Sequence, residues 1–264
     1  MASHLERILS GVREELESRR KSDPPDAVAE RARRNGRRRV FRAGPGEPPG
    51  IIAEIKRASP SKGWIRKGLD AAETARAYAR GGACAVSILT ESRFFGGSLA
   101  DLRAAGDACG SLPALRKDFL LDEYMIAESR AWGADLVLLI VAVLGEGTER
   151  MIRTAAGYGM EALVEVHDEA EMELAVRSGA TIIGINNRDL STLRVDLDTS
   201  RRLLPLAPRD AVKVVESGIS SPDDVRRFRS LGADAFLVGE ALVRSGDAEE
   251  AVRSLTENIR RSPA

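Results

Sequence analysis

The sequence predicts an α/β protein, a parallel (β/α)8 TIM barrel with an N-terminal helical extension, on three observations. Eight short apolar runs alternate with eight helical patterns, the alternation a closed parallel sheet requires. Ionisable and amide residues gather where those runs end, the face on which such barrels carry their chemistry. At 264 residues the chain has the length of one barrel plus an extension. A doubly wound open sheet is the runner-up. It would more often place a Gly-x-Gly-x-x-Gly turn after its first strand, and none stands there.

Residues 5–20 set Leu5, Ile8, Leu9, Val12 and Leu16 at helical spacing among charges, an amphipathic helix with one apolar stripe laid on the main body. Residues 31–42 hold seven arginines and few apolar residues. Without interleaved aromatics this run reads as a solvated face rather than a polyanion site. A turn-rich linker, 44–50, leads into the first strand. The expected division is therefore 1–48 as a helical extension and 49–264 as the barrel. Strands are expected at 51–56, 83–89, 112–116, 135–141, 161–166, 181–186, 211–215 and 234–238. Helices are expected at 71–80, 99–108, 122–132, 146–158, 169–178, 199–206, 222–231 and 249–260. Gly81-Gly82, Gly133, Gly159, Gly179 and Gly232 stand where helices end, and Ser221-Pro222-Asp223-Asp224 reads as an N-cap followed by proline at the first helical position.

Composition removes several classes of function. Lysine plus arginine and aspartate plus glutamate each number 40, so no global field favours nucleic acid or an anionic membrane. Cys84 and Cys109 have no metal-ligand spacing and read as reduced structural thiols. The longest apolar run, 136–144, is too short to cross a bilayer, and the N-terminus has no signal-peptide pattern. A cytoplasmic enzyme or binding protein is expected, with neither nucleic acid nor membrane as partner.

The stretch 51–64, IIAEIKRASPSKGW, carries the first chemistry. A buried strand that delivers Glu54 and Lys56 two residues apart puts both on one side of the sheet. An internal salt bridge is the structural alternative. Half an active site is the functional one, with Ser-Pro-Ser-Lys-Gly as its rim. The other strand ends add Thr90-Glu91-Ser92, Arg116-Lys117-Asp118-Phe119, Glu165-Val166-His167, Asn186-Asn187-Arg188, Glu216-Ser217-Gly218 and Gly239-Glu240, whereas the fourth ends apolar. His167 is read with the opposite side-chain parity from Glu165, facing away from the barrel axis, so histidine acid–base chemistry is not expected. No His, Cys and carboxylate cluster has metal spacing. Lysines and glutamates remain, and in one dry pocket they divide general-acid and general-base work by shifting each other's pKa values. Gly218 and Gly239, after strands seven and eight, stand where barrels bind phosphate through backbone N–H groups, which points to a small phosphorylated substrate.

With these residues in place the chain resembles the indole-3-glycerol phosphate synthases of tryptophan biosynthesis. The matching segments are IIAEIKRASPSKG (51–63), SILTESRFFGGSL (87–99), LRKDFLLDEY (115–124), LVEVHDEAE (163–171), IIGINNRDL (182–190), VVESGISSPDD (214–224) and FLVGEAL (236–242). They run in order over almost the whole barrel, and the likeness weakens over 21–50. The resemblance implies closure of the indole ring of 1-(2-carboxyphenylamino)-1-deoxyribulose 5-phosphate, with loss of carbon dioxide and water and with no cofactor or metal. It implies Lys117 as the acid on the ketone oxygen and Lys56 as a substrate contact and acid in the later dehydration, the assignment of lysines to steps staying open. Glu165 resembles the carboxylate that acts as base or stabilises charge on the anilino nitrogen. Glu54 and Glu216 would hold the lysines and substrate hydroxyls, with Asn186 and Arg188 on the hydroxyl and carboxylate regions. Ser217, Gly218, Gly239 and the backbone N–H of Glu240 would take the phosphate, under Ser59 and Ser61 of the first loop. Phe94, Phe95 and Phe119 would line the aromatic pocket, or simply fill core.

Among competing readings, a phosphoribosylanthranilate isomerase would be expected to use a cysteine base and an aspartate acid, where this chain has Glu54 and Lys56. A non-catalytic phosphate-binding barrel is the alternative from another class, and it has no need of two lysines facing carboxylates. The sequence is compatible with a monomer and with docking to other tryptophan-pathway enzymes.

Overall fold

In the computed structural model, residues 3–36, 39–44 and 49–260 are described, with side chains to 256. Eight strands close one parallel barrel in chain order. They are β1 (Gly50–Ile55), β2 (Ala85–Leu89), β3 (Ala114–Lys117), β4 (Leu136–Ile140), β5 (Glu161–Val166), β6 (Ile182–Asn186), β7 (Val212–Glu216) and β8 (Ala235–Val238). Closure is by β8 onto β1, with Gly50 opposite Ala235 and Ala53 opposite Val238. Every residue of β1, β2, β4, β6 and β8 is buried, as expected of parallel strands covered on both faces.

Besides a single helical turn at Val141–Leu144 after β4, the helices outside the barrel are α3 (Ala71–Arg80), α4 (Leu99–Ala108), α5 (Glu123–Ala131), α6 (Thr148–Gly157), α7 (Glu169–Arg177), α8 (Asp198–Leu203), α9 (Pro222–Arg229), α10 (Glu240–Arg244) and α11 (Ala248–Arg260). Their starts are chemically marked. Asp70, Ser98, Asp122, Asp168 and Ser221 each accept a hydrogen bond from a first-turn N–H, so five upper loops end at a fixed cap. The expected helix at 146–158 begins as a 3-10 turn over Gly145–Gly147, and the one at 199–206 ends as a 3-10 turn over Leu204–Leu206. Short α10, which follows Gly239 directly, was not expected from the sequence.

The extension is two helices, α1 (His4–Ser22) and α2 (Pro25–Arg34). Ile8, Val12 and Leu16 of α1 are buried, as the spacing predicts. Charged ties hold α1 to the loops above the barrel: Arg93 reaches Glu14 and Glu15 at 2.8 and 3.0 Å, and Arg19 lies 3.0 Å from Glu128 of α5. Helix α2 packs on α5 through Val28 and Ala32.

The solvated reading of the arginine run holds only in part. Arg31 and Arg34 are exposed partners of Asp23 and Glu30. Arg39 instead turns under the barrel and donates to the carbonyls of Gly106 and Leu112 at 2.9 and 2.8 Å. Phe41 is buried beside it, its N–H on Glu161 at 2.8 Å. Lower-end carbonyls that lack a ladder partner need donors, and this segment supplies one. Arg37, Arg38 and linker residues 45–48, with the expected boundary at 48/49, lie outside the described residues. Among the described residues no helix is long and apolar enough to cross a membrane.

Candidate active site

The upper ends of the strands enclose a cavity of about 720 Å³. Its floor is ionic. β1 delivers Glu54, and just past its end Lys56 places Nζ 2.7 Å from Glu54 Oε1. β3 ends on Lys117, whose Nζ lies 3.2 Å from Glu165 Oε2 of β5 and 3.2 Å from Glu216 Oε2 of β7. Three nearly dry carboxylates thus face two ammonium groups.

Two glycines make this packing fit. At Gly184, inside β6, a Cβ would collide with Glu216 Oε1, and at Gly239 one would collide with Glu54 Oε1. A glycine inside a strand marks such a close approach, a signal the sequence reading did not use at Gly184.

The charges sort themselves by environment. Burial disfavours the Lys117 ammonium, but Glu165, Glu216 and Glu54 together hold its pKa above the ordinary lysine value. Burial raises Glu54, and Lys56 with Lys117 more than reverses that, leaving it below the usual carboxylate range. Glu165 is likewise driven up by burial and pulled well below normal by Lys117, His167 and Asn186. Glu216 has only Lys117 in its favour. Burial and the neighbouring Glu165 push it up to about 8 against the pull of Lys117.

One corner of the cavity suits an anion. Ser217 and Gly218 both have positive φ, 64° and 83°, which turns the chain sharply after β7. Asn187, buried, braces the turn: its amide donates to the Ser217 carbonyl at 3.0 Å while its Oδ1 accepts from the N–H and hydroxyl of Ser200 at 3.0 and 2.8 Å. Gly239, Glu240 and Arg244, just past the neighbouring β8, line the same cavity. At the other end Phe95 and Phe119 meet with centroids 6.3 Å apart. Arg188 stands at the mouth, donating to the Leu193 carbonyl at 2.9 Å.

Of the residues singled out from the sequence, Glu54, Lys56, Ser61, Lys117, Phe119, Glu165, Asn186, Arg188, Glu216, Ser217, Gly218, Gly239 and Glu240 line this single cavity. Ser59 lines a small annex of about 70 Å³ over it, together with Leu5 and Ile8 of α1, so the extension helps form the mouth. Phe94 lines neither space. Its N–H is held by Glu91 at 2.7 Å and its ring packs on the core, while Phe95 takes the place expected of it. Lys62 and Arg244 also line the cavity; the sequence marked Lys62 only as loop and Arg244 not at all.

The parity reading of His167 is a second correction: residues two apart share one side of an extended strand, and its Nε2 lies 3.3 Å from Glu165 Oε1, although the ring, as expected, does not line the cavity.

The profile of the family described as indole-3-glycerol phosphate synthase matches residues 5–255. The chain belongs to the indole-3-glycerol phosphate synthase family. An indole-3-glycerol phosphate synthase of Nocardioides sp. is 58% identical over 207 residues, which is 78% of this chain and 79% of that protein. One of Micrococcus luteus is 48% identical over 259 residues, 96% of each chain. Among solved structures, 3-hexulose-6-phosphate synthase from Salmonella typhimurium aligns with a TM-score of 0.65 at 17% identity, over 80% of this chain and 99% of that one. Thiamine phosphate pyrophosphorylase from Pyrococcus furiosus aligns at 0.59 and 18%, over 80% and 94%. These two likenesses concern the barrel alone. In this indole-3-glycerol phosphate synthase family member the cavity floor holds two lysines and three glutamates.

Proposed function

We propose that the chain catalyses the family reaction, closing the indole ring of 1-(2-carboxyphenylamino)-1-deoxyribulose 5-phosphate with loss of carbon dioxide and water. The observation that carries this reading is Lys117, an ammonium held 3.2 Å from each of two buried carboxylates at the floor of the cavity. In this proposal the phosphate lies against Ser217, Gly218, Gly239 and the Glu240 N–H, under Ser59 and Ser61. The aromatic ring lies against Phe95 and Phe119, and its carboxylate faces Arg188 and Lys56.

The ring carbon bearing the carboxylate attacks the ketone carbon, and Lys117 protonates the ketone oxygen as the bond forms. Attack breaks aromaticity, so this step carries the barrier, and loss of carbon dioxide restores the ring. Glu165, ionised, stabilises positive charge on the anilino nitrogen and serves as base. Lys56 protonates the departing hydroxyl in the dehydration, with Glu54 holding it and Glu216 holding Lys117. Asn186 contacts the substrate hydroxyls. Positioning of the two reacting carbons supplies about 7–11 kcal/mol, and general acid catalysis roughly 10²–10⁴-fold. The same proposal places the enzyme in the cytoplasm, as a monomer able to dock to other tryptophan-pathway enzymes.

The test is indole fluorescence on mixing protein and substrate without added metal. A rise that EDTA leaves unchanged is expected. Tight binding with no rise would favour a non-catalytic phosphate-binding barrel. Lys117→Met is expected to lose at least ~10³-fold in kcat while calorimetry still records substrate binding; near-normal turnover would overturn the role of Lys117.

A further inference from the structure

A second, polar cleft of about 780 Å³ opens beside the main cavity; Glu165 and Lys117 line the cavity, and His167 lines only the cleft. Its ring stands between two carboxylates, hydrogen-bonded to Glu171 and in ion-pair contact with Glu165. Nε2 lies 3.3 Å from Glu165 Oε1 and Nδ1 lies 3.0 Å from Glu171 Oε2. Glu171 is itself fixed, since the same Oε2 accepts the His167 backbone N–H at 2.8 Å and its own N–H is capped by Asp168 at 2.8 Å. A neutral imidazole can donate from only one nitrogen, so a ring between two carboxylates is satisfied only when both carry protons.

We propose that His167 is a positioning residue for Glu165: clamped by Glu171, its positive ring fixes the Glu165 carboxylate toward Lys117. The inference rests on the role given to Glu165 above. Glu165 is thereby held between two cations, Lys117 on the cavity side and His167 on the cleft side. Glu216, which has no second cation behind it, has its pKa pushed up instead. Glu165 from β5 and Glu171 from α7 touch the ring, and the other charged side chains of the cleft are Asp168 at the start of α7, Asp189, Arg194 and Asp196 from the loop after β6, and Arg202 from α8. Burial lowers the ring's pKa, but the two clamping carboxylates raise it to about 10, so it is charged through the neutral range.

The experiment compares the parent enzyme with His167→Gln and Glu171→Gln. Ring resonances of His167 in the unliganded parent, followed by NMR against pH, are expected to stay those of an imidazolium past pH 8. In His167→Gln the acid limb of kcat/KM is expected to move up by roughly one pH unit, because Glu165 loses a neighbouring cation. Its kcat at neutral pH should fall roughly 10-fold or more with KM little changed. Glu171→Gln, which keeps the ring and loosens its clamp, should shift the limb the same way by less, and it keeps the test open should His167→Gln not fold. An unmoved pH profile in the folded variants, or a parent His167 that titrates near an ordinary histidine value, overturns the proposal. The NMR arm needs no turnover, so failure of the reaction assignment and failure of the His167 role are separable.

Discussion

The two ends of the barrel both bury charge, and they treat it in opposite ways. At the lower end the buried Asp135 and the half-buried Glu161 and Asp234 are each spoken for. Asp135 accepts the backbone N–H groups of Arg39 and Ala114 at 3.2 and 3.1 Å and lies 3.6 Å from Arg130. Glu161 takes the Phe41 N–H, and Asp234 takes that of Lys213 at 2.8 Å. At the upper end neither oxygen of Glu216 accepts a hydrogen bond among the described residues, nor does Glu165 Oε1. Bonds to fixed backbone donors use up a carboxylate's capacity and turn it into an anchor. A carboxylate opposed by cations alone, without backbone donors, keeps capacity for something that arrives later.

The contrast can be broken at either end, and the largest effect is expected below. Asp135→Ala removes a carboxylate that lies 3.6 Å from Arg130, 1% exposed at its side chain, and that accepts two backbone N–H groups. Urea unfolding should record a loss of about 3–5 kcal/mol with kcat per folded molecule unchanged. A loss under about 1 kcal/mol would mean that the lower charges anchor nothing.

At the upper end Gly184→Ala drives a Cβ at Glu216 Oε1 and, at 3.2 Å, against Leu163. The carboxylate is a flexible end and can retreat, so stability should fall by only about 1–2 kcal/mol while kcat drops about 10²-fold. A collapse of stability at intact kcat would make Gly184 a packing residue like those below.

Glu216→Gln sharpens the comparison through pH. The folded-state pKa of Glu216 is raised to about 8. The native state therefore holds a proton that the unfolded chain releases. The parent's stability should decline as pH rises through the window between the ordinary glutamate value and 8. The glutamine variant lacks that slope and should gain on the parent by up to about 1.4 kcal/mol per pH unit there. A constant offset at all pH values would show Glu216 ionised throughout. The smallest effect belongs to neither end: Arg153→Ala breaks an exposed pair with Glu149 at 2.6 Å and should cost under about 0.5 kcal/mol in the same urea assay.

Much of this was legible in the chain. Periodicity places all eight barrel strands within a few residues, because a parallel strand buried on both faces must read as a short apolar run. Ionisable residues just past those runs named Glu54, Lys56, Lys117, Glu165 and Glu216, since a charge at a strand end has few structural uses. Less legible were features that depend on what lies across the barrel. Phe94 and Phe95 are adjacent in one loop, and only the loop's anchoring on Glu91 decides which ring enters the cavity. The arginine run was read by composition, whereas Arg39 found carbonyls of Gly106 and Leu112 about seventy residues away.

The order of strands and helices, the caps that end five upper loops and the set of groups at the upper rim all follow from local chemistry. Burial pattern, N-cap donors and side-chain alternation act within a few residues of one another. Tertiary structure alone decided which charge faces which. Lys117, Glu165 and Glu216 meet because β3, β5 and β7 converge on one axis. The glycines at 184 and 239 admit carboxylates carried by other strands. The ionisation of each group is then set by its neighbours through a dry medium, where Coulomb energies of several kcal/mol depend on ångströms that no linear spacing encodes.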